Sequence, residues 1–120
     1  MRRVQVDLKI AEREGVLTVQ ITGEIDLANA ADVLGQLERA VPNAALGLIA
    51  DLTGIEYLDS KGVHMLLQLD ERLSAHGQFL RVVMPDGSPI RRILRLAHLD
   101  EQVPIDNSLT DSMAAVKPAR

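Results

Sequence analysis

The spacing of apolar positions changes period along the chain. Val4, Val6, Leu8 and Ile10 alternate with Gln5, Asp7 and Lys9, and Leu17, Val19 and Ile21 alternate with Thr18 and Gln20. A period of two puts one face of each segment inside and the other in water, as in a half-buried strand. The residues between, "AEREG", are polar and end in Gly15, so the two strands are expected to form an antiparallel hairpin. Gly23 closes the second strand. The period then lengthens: Leu27, Ala31, Leu34, Leu37 and Val41 fall at helical spacing, with Asp26 as the expected N-cap and Pro42-Asn43 as the stop.

"ALGLIADL" is nearly continuous in apolar residues, as in a strand covered on both faces. "TGIEYL" reads as a short link. Asp59-Ser60-Lys61-Gly62 then opens an amphipathic helix with Val63, Leu66, Leu67 and Leu73 on one side, Asp70 and Glu71 elsewhere, and Gly77 as the stop. "QFLRVVM" is another strand. Ser88 is the expected N-cap and Pro89 the first position of a helix that buries Ile90, Ile93, Leu94 and Ala97. "QVPI" reads as a short edge strand because Pro104 cannot donate to a ladder. Leu109, Met113 and Val116 define a last helix, and "KPAR" is a loose tail.

The order β-β-α-β-α-β-α-β-α specifies an α/β fold. One domain is expected over residues 1–120, with its core in about 3–116. It should be a mixed, largely parallel sheet of about five strands with about four helices, starting from an antiparallel hairpin.

Composition narrows the function. Tyr57 and Phe79 are the only aromatics, and the formal net charge is −4. Neither suits stacked bases or a phosphate backbone, so direct nucleic-acid binding is not expected. Arg91, Arg92 and Arg95 cluster on a helical pattern and read as a solvated face. The absence of cysteine excludes thiol catalysis, cysteine metal sites and disulfides. The start "MRRVQVDLKI" lacks the apolar run of a signal peptide, and no stretch reaches the length of a bilayer. A cytoplasmic monomer without membrane insertion is expected.

Catalytic constellations are missing. His64, His76 and His98 lie far apart without metal-ligand spacing. There is no phosphate-binding glycine loop, no G-x-S-x-G elbow and no dinucleotide fingerprint. No catalytic residue, cofactor or metal is therefore expected. Ser60 stands out by position. It follows a strand and opens a helix, where a serine serves as a cap or, phosphorylated, adds about −1.5 to −2 of charge to an exposed end.

Two motifs join these features. Asp51-Leu52 ends a buried strand and is followed by "TGIEYL", Asp59-Ser60-Lys61-Gly62 and "VHMLL"; upstream stands Gly23-Glu24-Ile25-Asp26-Leu27. With the tail "GSPIRRILRLAHLDEQVPIDNSLTDSMAAV", the chain resembles the STAS-domain family, and within it the bacterial anti-sigma factor antagonists.

The resemblance implies a regulator rather than an enzyme. In such proteins the serine at the position of Ser60 is phosphorylated by a partner that is both anti-sigma factor and serine kinase. The unphosphorylated form binds that partner and frees the sigma factor; a serine phosphatase resets the cycle. The resemblance also implies a partner-binding set of Glu24, Asp26, Leu27, Asp59, Ser60, Lys61, Gly62 and His64. Lys61 stands where the family has a second serine, and His64 where it favours a small residue. The alternative is a STAS subunit of a lipid-transport complex or signalling scaffold, without a serine cycle. A small enzyme or nucleotide-binding domain ranks lowest.

Overall fold

The computed structural model describes residues 6–116. Val4 and the "KPAR" tail, both assigned from the sequence, lie outside the described residues. Strand β1 (Val6–Arg13) pairs antiparallel with β2 (Val16–Ile25). The hairpin turn is only Glu14-Gly15, not the five residues expected, because both residues have positive φ (53° and 83°). That geometry matches the twist of the two strands, so the ladder runs on to the tip.

Helix α1 (Ala30–Ala40) leads to β3 (Gly47–Asp51), which pairs in parallel with the first half of β2. The expected link 53–58 holds a further strand, β4 (Ile55–Leu58), parallel to the far end of β2. Helix α2 (Ser60–Ala75) follows, then β5 (Phe79–Val83), parallel to β3. Helix α3 (Pro89–Leu96), one 3-10 turn (Leu99–Glu101), the two-residue edge strand β6 (Ile105–Asp106) and helix α4 (Leu109–Val116) complete the order. The sheet runs β1-β2-β3-β5-β6, with β4 lying beside β2 off that path.

Alternation along the strands divides the core between the two faces of the sheet. Leu48, Ala50, Leu80 and Val82 point to one face, where they pack with Leu34 and Leu37 of α1, Leu66 and Leu69 of α2, and Leu94 of α3. Val16, Ile49 and Val83 point to the other and meet Leu109, Met113 and Val116 of α4. Three helices thus cover one face and a single short helix covers part of the other. Among the described residues, no helix is long and apolar enough to cross a membrane.

The sequence places several caps as found. Ser88 accepts a hydrogen bond from the Ile90 N–H, with Pro89 at the start of α3. After α2, the Gln78 N–H reaches back to the Leu73 carbonyl and the Gly77 N–H to that of Ser74, closing the helix end. Helix α1 departs from expectation. It begins three residues after Leu27, and its buried stripe is Ala30, Val33, Leu34 and Leu37. Leu27 is 71% exposed, and Ala31 also faces solvent. In α3, Ile93 and Ala97 are exposed, leaving Ile90 and Leu94 as the buried pair.

Candidate functional site

β4 delivers Asp59 to the start of α2 with its backbone still extended. One oxygen of its carboxylate, Oδ1, accepts from the Lys61 N–H at 2.9 Å and the Gly62 N–H at 3.0 Å. The other, Oδ2, accepts from the Leu27 N–H at 3.0 Å, across 32 residues of chain. A single carboxylate therefore caps α2 and ties down the loop before α1. The cap is Asp59 and not Ser60.

The loop closes on its own side chains. Asp26 Oδ1 accepts from the Ala28 N–H at 2.9 Å, and the Asp26 N–H donates to Asn29 Oδ1 at 2.9 Å. The Asn29 side chain in turn donates to the Glu24 carbonyl at 2.8 Å. Asp26 thus starts an Asx turn, which competes with the helix and delays it. The helix N-cap is Asn29, whose side chain is spent on the loop rather than on capping. Sequence reasoning missed Asn29; the "ANA" after Asp26-Leu27 is the signal, since Asn favours such turns.

Ser60 is the first residue of α2 and is exposed. With Asp59 as the cap, its hydroxyl forms no hydrogen bond with another described residue. Lys61 is exposed, and no ion pair holds it among the described residues; His64, one turn below Ser60, is exposed as well. Glu24 is half-buried at the end of β2, beside Tyr57 in the ladder with β4. Gly62 does not belong to the surface. It is buried, and a Cβ there would lie 2.4 Å from Leu58 Cδ1 and 3.2 Å from Ile25 Cγ2. Its role is to let α2 approach the ends of β2 and β4.

Leu27, Lys61 and His64 open onto a groove of about 400 Å³ between α1 and α2, floored by Ala30, Leu34 and Met65. An ion pair between Glu38 of α1 and Arg72 of α2 stands at its side. A second depression, of about 720 Å³, surrounds the start of α3. Two of its three arginines are engaged by the protein: Arg91 donates to the Met84 carbonyl and to Asn107, and Arg95 pairs with Asp86, while Arg92 is exposed.

Among the described residues, the two carboxyls with shifted titration lie away from Ser60. Burial, then the nearby charge of Glu71, pushes Asp70 up. Burial also works to raise Asp106, but the hydrogen bonds from Arg81 and the charges of Arg81 and Arg91 outweigh it and hold that carboxyl below its ordinary value. Among the described residues no group of His, Asp or Glu is placed to hold a metal ion.

Comparison with known proteins follows the same pattern. The family model of the STAS domain matches residues 7–112. The chain is 30% identical over 115 residues to the anti-sigma-F factor antagonist RsfB of Mycobacterium tuberculosis, covering 96% of this chain and 93% of that one. The crystal structure of an anti-sigma factor antagonist from Mycobacterium paratuberculosis superimposes with a TM-score of 0.83 at 27% identity, covering 95% of this chain and 96% of the other. The Bacillus cell fate determinant SpoIIAA in its phosphorylated form shares the fold, with a TM-score of 0.65 at 18% identity over 94% of this chain and 100% of that one.

Proposed function

The chain belongs to the STAS domain family, and from that premise we propose that it is an anti-sigma factor antagonist switched by phosphorylation at Ser60. Unphosphorylated, it binds an anti-sigma factor that is also a serine kinase, and so releases the sigma factor. Phosphorylated, it lets go until a serine phosphatase restores the hydroxyl. It acts as a regulator in the cytoplasm, with no chemistry of its own.

The observation that carries this reading is the division of labour at the start of α2. Asp59 does the capping, so Ser60 is exposed, structurally unoccupied and open to a kinase. Phosphate there adds about −1.5 to −2 of charge next to Lys61, which lines the α1–α2 groove. A partner surface fitted to a neutral hydroxyl is then faced with a charge that it cannot solvate. Asp26, Leu27, Lys61 and His64 form the rest of the docking surface. The curated relative and the mycobacterial structure, both named as antagonists, support the assignment of partner class.

The test uses the kinase encoded nearest the gene. Incubated with that kinase and ATP, the protein should acquire phosphate at Ser60, mapped by peptide mass spectrometry. Ser60→Asp should weaken kinase binding by about tenfold or more, roughly 1.4 kcal/mol, while Ser60→Ala keeps it within about threefold. Phosphate on another residue, or equal affinity of the two variants, overturns the reading.

A further inference from the structure

The surroundings of Ser60 raise a question of charge that the switch alone does not answer. A phosphate on Ser60 would enter an acidic neighbourhood. Asp59 precedes it, and Asp26 lies in the loop that Asp59 holds. The helix end offers limited relief, because the Lys61 and Gly62 N–H groups are already taken by the Asp59 carboxylate. Across the groove, Glu38 is matched by Arg72. Among the described residues, the basic side chains at this end without an ion-pair partner are Lys61 and His64, both exposed and both lining the groove.

Their spacing matters. On a helix, residues four apart share a face, with Cβ atoms about 5–6 Å apart. Ser60 and His64 have that spacing in α2, and Lys61 is the residue next to Ser60. We propose that Lys61 and His64 form a receiver for the Ser60 phosphate, drawing it down onto the rim of the α1–α2 groove and away from Asp59. The inference rests on Ser60 as the modified residue and adds how this chain holds the phosphorylated state. An ammonium beside the phosphate and an imidazolium one turn on each favour the phosphate dianion, and the dianion favours their charged forms. The captured phosphate also occupies the mouth of the groove, where the docking partner would enter.

The experiment needs no kinase. Phosphoserine is placed at position 60 during translation, and the phosphate is titrated by phosphorus-31 NMR in the full chain. The second ionisation of a phosphoserine ordinarily falls near about pH 6. In the intact protein its midpoint should fall by about half a pH unit or more below that of an unstructured phosphopeptide of the same sequence. Lys61→Ala and His64→Gln should each move it back up. The unphosphorylated variants should keep the wild-type unfolding midpoint, since both side chains are exposed. A midpoint unaffected by either substitution overturns the receiver, and so does a shift that survives His64→Gln. Because the phosphate is installed without an enzyme, that failure leaves the kinase-labelling result standing, and a failure of kinase labelling leaves the titration readable.

Discussion

At the scale of single residues, Asp59 and Gly62 do the structural work that lets Ser60 be free. Asp59 serves two segments at once, so its loss should cost more than a cap. Asp59→Ala is expected to destabilise the protein by about 1–3 kcal/mol, from the cap and the lost anchor at Leu27 together. Hydrogen exchange at the Leu27 amide should accelerate in parallel; an unchanged rate would show that the anchor does not matter in solution. Gly62→Ala brings a methyl onto Leu58 and Ile25, both buried. The helix propensity gained, up to about 1 kcal/mol, is smaller than the overpacking cost of about 1–3 kcal/mol. Urea denaturation should therefore find Gly62→Ala less stable than the wild type. These roles were only half legible in the sequence. Asp and Ser are comparable caps, so "DS" does not say which one the helix starts after. That depends on where β4 ends, which local pattern does not fix.

The elements show the same limit for a different reason. The hairpin, β3, β5 and the start of α3 are legible because their period or their capping residues are unambiguous. β4 is not, because its burial runs buried, exposed, exposed, buried instead of alternating. The irregular register between Gly23 and Glu24, opposite β4, accounts for this break in period. The sequence pattern starts helix α1 too early because Leu27 fits the helical spacing, while the Asp26 turn and the Asp59 hydrogen bond hold it outside the helix. At the far edge, Asp106 of β6 takes two hydrogen bonds from Arg81 of β5, each 3.0 Å, with both side chains mostly buried. Its carboxyl is held below the ordinary value, so its stabilisation is present above the unfolded value and lost as pH falls through the lowered folded one. Asp106→Asn should cost about 2 kcal/mol at neutral pH. Measured again near about pH 3, the gap between wild type and variant should narrow. A gap that widens in acid would contradict the sign.

On the scale of the whole molecule, the sheet separates what stabilises the fold from what meets a partner. Helix α4 rests on one face through Leu109, Met113 and Val116, while α1 and α2 carry the groove lined by Lys61 and His64 on the other. Substitutions on the two faces should therefore be separable. Leu109→Ala and Met113→Ala remove half-buried methyls and should each lower stability by about 1–2 kcal/mol, below the range for fully buried sites. Neither residue lies near the groove, so kinase affinity at a temperature where the variants stay folded should be unchanged. Leu27→Asp should do the reverse. The side chain is 71% exposed, and the anchor to Asp59 uses the backbone N–H, which the substitution keeps. Its unfolding free energy should stay within about 0.5 kcal/mol of wild type. Binding should weaken by about tenfold or more, because a large exposed apolar side chain at the rim of a groove gains most when a partner covers it. Calorimetric titration of the three variants against one kinase preparation decides the matter. If the α4 variants lose affinity while folded, the sheet transmits strain between its faces; if Leu27→Asp binds normally, the docking surface lies elsewhere than on the α1–α2 side.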